Sequence, residues 1–583
     1  MALTQERVAR DHPARADPPR ATPSINDLWY KNGVIYCLSV GSFMDANGDG
    51  VGDFQGLMRR LDYLHGLGIT AIWLMPFQAS PGSDDGYDVS DYYGVNPAYG
   101  TLGDFVEFTH GAKQRGIRVI IDLVVNHTSD QHPWFQEARR DRKSRYRDWY
   151  VWSDKKPANA HQGMVFPGVQ KSTWSYDKEA RAWYFHRFYD FQPDLNTSNP
   201  NVQAEILKIM GFWIQLGVSG FRMDAVPFVI ATKGPRVRKP VEQYEMLRSL
   251  RAFLQWRVGD SIILAEANVL PETDMEYFGK DGDRMHMMFN FQVNQNLFYA
   301  LASSDSRPLA RALKATMDRP ETAQWGLFLR NHDELDLGRL SEEQRREVFK
   351  CFGPEQSMQL YERGIRRRLA PMLSGDRRLI ELAYSLMFTL PGTPVLRYGD
   401  EIGMGDDLDL PERNCARTPM QWSTEPHGGF TKADKPVVPV ISEGPYGYPH
   451  VNAAEQRREP NSLLNWTERI VRMRKEVPEV GWGDFEVLPV RDPAVLVMRY
   501  DWRNNSVLFV HNLSDTPREV DFSTGLEGPE GRRLVNLLSE NHSRAGEDGK
   551  HTLVLEPYAY RWFRVGGLDY LLKRSDIETP PRD

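Results

Sequence analysis

Short apolar runs that each lead into an acidic residue recur along this 583-residue chain. Val119-Ile120-Ile121 precedes Asp122, Ile262-Ile263-Leu264 precedes Glu266, and Leu327-Phe328-Leu329 precedes Asp333. Asp224 follows the segment Gly220-Phe221-Arg222-Met223. Runs of this length read as buried strands. Amphipathic stretches alternate with them. GVIYCLSVGSF (33–43) predicts a first strand, and DFQGLMRRLDYLHGLG (53–68) predicts a helix ended by glycine. ITAIWLMP (69–76) predicts a second strand, LGDFVEFTHGAKQRG (102–116) a helix, and IRVIIDLVV (117–125) a third strand. Repeated βα units predict a parallel sheet.

Periodicity is lost from about 128 to 199, a stretch rich in Trp, Tyr, Asp, Lys and Pro. Long irregular stretches inside a compact domain are usually functional. Helical pattern returns with VQAEILKIMGFWIQLG (202–217), and 405–460 is again loop-rich. From 484 short alternating segments, FEVLPV, AVLVMRY, NSVLFVHNL, HTLVLEP and YRWFRV, predict an antiparallel β domain. The expected division is a tail over 1–26, a barrel over 27–127 and 200–483, an inserted domain over 128–199, a β domain over 484–570 and a mobile tail over 571–583.

Charge and cysteine content limit the function classes. Net charge is −7, which offers no basic field for nucleic acid. No run of 18 apolar residues predicts a membrane span, and the N-terminal stretch has no apolar core of a secretory signal. Three cysteines, Cys37, Cys351 and Cys415, are too few and too far apart for a disulfide framework or zinc site. They suit a reducing cytoplasm. A homo-oligomer is compatible with the chain.

The four acidic motifs, DLVVNH (122–127), GFRMDAVP (220–227), LAEAN (264–268) and FLRNHDEL (328–335), resemble the signature regions of the α-amylase family, glycoside hydrolase family 13. QPDLN (192–196) and GTPVLRYGDEIG (392–403) resemble two further family regions. Within the family, WYKNGVIY (29–36), SDQHPWFQ (129–136), WGLFLRNHDEL (325–335), GIRRRLAPML (364–373) and RTPMQW (417–422) resemble the trehalose synthase subgroup. The resemblance implies a closed (β/α)8 barrel, with the inserted domain after strand three and a C-terminal β-sandwich. Strand ends of such a barrel open onto one site, and carboxylates gathered there suit glycosidic bond chemistry.

By that resemblance Asp224 is the nucleophile, Glu266 the acid/base and Asp333 the third carboxylate, which holds sugar hydroxyls. Glu266 must begin protonated, so its pKa is expected to be raised by burial and neighbouring carboxylates. Arg222 lies two residues before Asp224, on the same side of the strand, where its charge favours the ionised nucleophile. Asp122 is expected to orient Arg222. His127 and His332 match sugar-binding histidines. Tyr87 is expected to stack on the sugar, Asp84 to bind its distal hydroxyls with help from Arg417, and Phe166 to form an aromatic wall. The implied activity is maltose–trehalose interconversion. An α-glucosidase-type hydrolase or another transglucosidase is the alternative.

The loop DANGDGVGD (45–53) offers Asp45, Asn47, Asp49, the Val51 carbonyl and Asp53. Alternating oxygen donors among glycines suit Ca²⁺ or Mg²⁺, and the expected ion is structural. No organic cofactor is expected. The chain departs from the family pattern at Cys37 (usually glutamine), Arg397 (usually tyrosine), Asp190-Phe191 (Ser-His in synthases), the 228–245 loop and Gly338 (glutamate in synthases). None of these is one of the four carboxylates.

Overall fold

The computed structural model describes residues 25–566 except Arg238, Glu527 and Pro529. The expected tails fall outside the described residues, save Ile25 and Asn26, which open a 3-10 helix at Ile25–Lys31. Eight parallel strands close a barrel in sequential order: β1 Ile35–Leu38, β2 Ala71–Leu74, β3 Arg118–Leu123, β4 Gly220–Met223, β5 Ile262–Ala265, β6 Met287–Phe289, β7 Gln324–Leu327 and β8 Thr393–Arg397. Closure brings β8 beside β1, with Tyr36 opposite Leu396 and Cys37 opposite Arg397. β1, β2, β4 and β5 are buried at every position. That is why β1, β2 and β5 read as continuous apolar runs rather than alternating ones.

Three boundaries differ from the sequence reading. The first strand stops at Leu38, and Val40–Phe43 turns helical. Strand β7 ends at Leu327, so Phe328 and Leu329 already belong to the loop that carries Asp333. Both misjudged segments are buried, and burial alone does not separate a strand from a buried turn. The helix read over 53–68 is two helices, Phe54–Arg59 and Leu61–Leu67, broken at Arg60. Gly68 closes the second one with φ +87°, a left-handed conformation that favours glycine. Helix Leu102–Gln114 begins in a capping box between Thr101 and Asp104.

Between β3 and β4 the chain builds a small antiparallel sheet from Trp152–Ser153, Trp174–Asp177 and Ala182–Phe185, with Ala182–Phe185 in the middle. Val151, Ala160, Trp174 and Phe185 give it a core of its own. Its return to the barrel is fixed by bridges from His127 to Asp194 and from Tyr150 to Leu195.

The C-terminal region forms a six-stranded antiparallel sheet with a separate two-stranded pair, Arg518–Phe522 and His551–Leu555. Strand Val495–Trp502 shows how its two faces are used. Leu496, Met498 and Tyr500 join the barrel's core, whereas Val495 and Val497 pack with Val520, Phe522 and Leu555 of the pair. This is the period of two that a strand imposes. Polar contacts also fasten this sheet to the helix Arg377–Thr389. The Tyr500 hydroxyl donates to the Thr389 carbonyl at 2.7 Å, and Trp562 Nε1–H donates to Ser385 Oγ at 2.8 Å. No described helix is long and apolar enough to cross a membrane.

Candidate active site

The C-terminal ends of β3, β4 and β5 bring three carboxylates to one guanidinium. Asp122 lies within β3, while Asp224 and Glu266 immediately follow β4 and β5. Arg222 Nη1 donates to Asp122 Oδ1 at 3.0 Å and to Asp224 Oδ1 at 2.9 Å, and Nη2 donates to Glu266 Oε2 at 2.5 Å. Arg222 is 1% exposed. Its guanidinium lies 5.2 Å from the ring centre of Trp73, whose Nε1–H donates to Asp122 at 3.3 Å. The Tyr87 hydroxyl donates to Asp122 Oδ2 at 3.0 Å and lies 2.7 Å from His332 Nε2. The Tyr87 and His332 rings stack nearly parallel, 5.6 Å apart.

Burial raises Asp224 well above the usual carboxylate range, assisted by Glu266 and Asp122 and opposed by Arg222. Glu266, half-buried on the cavity wall, hydrogen-bonds Asp224 and adds to that rise. Asp122 is pushed up to about 6 by burial, against the pull of Arg222 and the Tyr87 hydroxyl. His332 is held neutral by burial, which outweighs Asp333, and His127 is pushed down to about 4, again by burial.

Asp333 sits in a different field. Its Oδ1 accepts from Arg413 and from Arg417 Nη2, the latter at 3.2 Å, and its Oδ2 lies 3.2 Å from His332 Nε2. Burial works against its ionisation, but the donors at His332, Arg413 and Arg417 outweigh burial and hold its carboxyl well below the usual range. Arg417 also donates to the His332 carbonyl at 2.9 Å and pairs with Asp85 at 3.1 Å. Asp84 accepts from Gln192 at 2.8 Å and is pushed up to about 6 by burial, with Arg413 and Arg417 opposing.

These groups face a cavity of about 370 Å³ whose wall includes Asp84, Tyr87, His127, Phe166, Asp224, Glu266 and Asp333. Arg222 and His332 lie beneath that wall, holding its carboxylates and Tyr87. Phe166 stacks on Tyr189 with centroids 4.8 Å apart. A cavity that presents a hydrogen-bonded carboxylate pair, a third ionised carboxylate and an aromatic wall is equipped for glycosidic bond chemistry.

Comparison with known proteins agrees with this geometry. The model of the alpha amylase catalytic domain matches residues 37–353 and 356–483, and that of the sucrose hydrolase-like C-terminal domain matches 505–564. The chain belongs to the α-amylase family. It is 45% identical to a trehalose synthase of Thermus thermophilus over 94% of this chain and 56% of that protein. It therefore spans little more than half the length of that relative. A trehalose synthase/amylase of Mycobacterium tuberculosis is 41% identical over 98% of this chain and 95% of its own length. Among solved structures, an alpha-amylase from H. orenii superposes with a TM-score of 0.74 at 28% identity, covering 92% of this chain and 99% of that one.

In this α-amylase-family barrel several site residues carried no signal in the sequence reading. Arg413 stands four residues before Arg417, and its role becomes visible only where the overhang folds back onto Asp333. Arginines from GIRRRLAPML hold that overhang. Arg366 donates to the carbonyls of Leu408, Leu410 and Glu412, and Arg367 pairs with Asp406 at 3.3 Å. Arg368 donates to the Ala416 carbonyl at 3.1 Å. Arg397, one of the departures from the family pattern, donates to the carbonyls of Asn331 and Ala416 and so ties the Asp333 loop to the same overhang. Glu334 also lines the cavity; burial pushes it up to about 7.

Lys233 was missed as well, because it lies in the 228–245 loop, where the family pattern fails. Its ammonium is buried among Asp194 Oδ2 at 2.8 Å, Asn126 Oδ1 at 2.8 Å, the Leu195 carbonyl at 3.1 Å and the Asn126 carbonyl at 3.2 Å. It joins the strand-three loop to the inserted domain, one residue from His127.

The 45–53 loop is closed by its own backbone. Asp45 accepts from the amides of Gly48 and Gly50 at 2.7 and 2.9 Å, and Asp53 accepts from those of Ala46 and Gly56 at 2.9 and 2.6 Å. Asn47 and Asp49 are linked through the Asp49 amide at 2.9 Å, and the Val51 amide donates to Asp49 at 2.9 Å. Among the described residues no three acidic, histidine or cysteine side chains gather at metal-ligand spacing.

Removing Lys233 leaves Asp194 as an uncompensated buried charge. Lys233→Met is expected to cost about 3–5 kcal/mol, measured by the denaturant midpoint. Adding Asp194→Asn should recover much of that loss. A single variant as stable as wild type would show that the ammonium holds nothing.

Proposed function

We propose that this chain interconverts maltose and trehalose by intramolecular transfer of a glucosyl unit, with retention of the α configuration. The observation that carries the reading is the hydrogen-bonded Asp224–Glu266 pair, sharing the guanidinium of Arg222 at the floor of the cavity. The naming of relatives at 45% and 41% identity as a trehalose synthase and a trehalose synthase/amylase supports it.

In this reading Asp224 attacks the anomeric carbon of the bound glucosyl unit while Glu266 gives its proton to the departing glycosidic oxygen. The bond to the second glucose breaks and a covalent β-glucosyl ester forms on Asp224. The ester removes one negative charge from the field of Arg222, which leaves Glu266 free to act as the base. The released glucose turns so that its anomeric hydroxyl faces the ester. Glu266 takes that proton as the oxygen attacks, and Asp224 leaves. Arg222 holds both carboxylates at fixed positions, so its hydrogen bonds need little reorganisation between the two steps. Asp333, kept ionised by its arginines, hydrogen-bonds the sugar and favours oxocarbenium character. If water takes the place of the turning glucose, the product is glucose. The overhang and inserted domain close over the cavity and disfavour that entry. The cytoplasm is the proposed location, in keeping with three free cysteines.

The first test is incubation of purified protein with maltose and, separately, with trehalose. Each should yield the other with glucose as a minor product. Asp224→Asn and Glu266→Gln should each lower turnover by at least about a thousandfold. Glucose as the main product from both sugars would make the chain a hydrolase.

The second test concerns pH. Asp84 has a folded pKa near 6, so it is ionised above that pH and neutral below it. Charge-assisted hydrogen bonds to sugar hydroxyls are therefore present at pH 7 and lost by pH 5. The KM for maltose should rise about five- to tenfold over that fall. Asp84→Asn should show a high KM with no such limb. A wild-type KM constant from pH 5 to 7 would remove Asp84 from sugar binding.

We propose also that the 45–53 loop holds a structural Ca²⁺ or Mg²⁺. Its donors are all hard oxygens. Asp45 Oδ1 and Asp53 Oδ1 each accept a single backbone amide and retain a lone pair for an ion. The loop meets the overhang through Asp45, whose amide donates to Phe430 and whose carboxylate accepts from Thr431. An ion there would stiffen the overhang and take no part in the chemistry. Calcium added after chelation should raise the melting temperature of wild type and leave that of Asp49→Ala unchanged. Equal curves with and without calcium in wild type would show that the loop needs no ion.

A further inference from the structure

No large apolar side chain among the described residues is more exposed than Trp256, at 81%. It lies in the last turn of the helix Tyr244–Arg257, which leads down to the start of β5. A single apolar side chain in solvent needs no explanation, but Trp256 stands on the rim of a cavity.

That cavity measures about 570 Å³ and lies away from the site described above. Its wall forms where three strands begin. Arg118 opens β3, Ser219 precedes β4 and Asp260 precedes β5. The carboxylates lie at the other ends of the same strands. Val106 of helix Leu102–Gln114, Ile214 of helix Pro200–Gln215 and Val258 give the cavity apolar sides. Val106 is itself 41% exposed. The volume is within the range that holds a whole small molecule, so an indole fits.

Packing between two helices sets where Trp256 stands. Phe253 lies against Gly211, where an added Cβ would come within 3.3 Å of its ring. The helices of a (β/α)8 barrel run in one direction, so a further turn along each places Trp256 level with Ile214 and Gln215. Both of these are wall residues. A knob and a hole are therefore neighbours on one surface, and the knob leaves its own hole unfilled. A twofold interface brings the same patch of each copy together, so a patch that carries both is complementary to itself.

Charge points the same way. Arg257 follows Trp256, with its guanidinium 5.5 Å from the indole ring centre. Glu107 follows Val106 at the edge of the cavity. Arg257 and Glu107 are both exposed, and neither has an ion-pair partner among the described residues. Seating Trp256 of one copy beside Val106 of the other brings Arg257 to Glu107, and the twofold axis makes two such pairs. Tryptophan and arginine are the residues that most often carry the energy of an interface.

We propose that two copies of this chain associate through this face about a twofold axis, with Trp256 of each seated in the cavity of the other and Arg257 paired with Glu107 across the interface. Both active sites stay open, because they lie at the opposite ends of the strands. The association does not depend on which sugar the chain acts on.

Sedimentation velocity of the full chain over a dilution series measures the mass. Wild type should sediment as a dimer that dissociates on dilution. Trp256→Ala should weaken the dimer about thirtyfold or more. Arg257→Glu should weaken it as well, since like charges then face each other. Glu107→Lys combined with Arg257→Glu restores opposite charges and should return the dimer. All three variants change exposed side chains and should keep the circular dichroism of wild type. Equal mass for wild type and Trp256→Ala at every dilution would overturn the proposal, whether that mass is a monomer or an oligomer built through another face. A double variant that associates no better than Arg257→Glu would overturn it too.

Discussion

Asp122, Asp224 and Glu266 share the guanidinium of Arg222 at the top of the barrel, where Arg222 is 1% exposed. Much of the site's behaviour follows from that stoichiometry. Taking charges out of water is costly, and the guanidinium offsets part of that cost. Burial still holds Asp224 well above the usual carboxylate range, beside the hydrogen-bonded Glu266. A retaining mechanism needs one partner protonated and the other ionised. The barrel supplies the geometry cheaply, because adjacent strands β3, β4 and β5 deliver the carboxylates in register, with Asp122 opposite Arg222 and Arg222 opposite Leu264.

Asp333 reaches the same site from a loop rather than a strand end, and arginines secure it. The carbonyls of Asn331, His332 and Asp333 accept from Arg397, Arg417 and Arg330 in turn. Arginine suits this task because its planar fork can bridge two segments at once. The same chemistry fixes the overhang through Arg366, Arg367 and Arg368. The third carboxylate and the cover over the site thus depend on one another. Arg413 joins them.

The inserted domain is tied in by a different device. Lys233 replaces direct packing with a buried ammonium among four oxygens, close to His127. A mobile attachment there would loosen both the histidine and the aromatic wall at Phe166. The C-terminal sheet, in contrast, is fastened mainly by apolar contact through Leu496, Met498 and Tyr500, far from the chemistry.

Apolar runs of strand length gave the parallel sheet, because strands buried on both faces have little compositional freedom, and the family resemblance implied its closure into a barrel. The motifs around Asp122, Asp224, Glu266 and Asp333 pointed to the carboxylates, since each is adjacent in sequence to the element that positions it or lies within a recognisable loop. Boundaries were less legible: Phe328-Leu329 is as apolar as a strand because it is buried, not because it is extended. What the chain could not disclose by itself was which distant charges meet. Arg413 lies 80 residues from Asp333, to which it donates, and Lys233 lies 107 from Asn126. The pairing of such groups depends on how loops close over the barrel. That closure also holds the Asp333 carboxyl well below the usual range, because the energy of a buried charge depends on its neighbours in space and not in sequence.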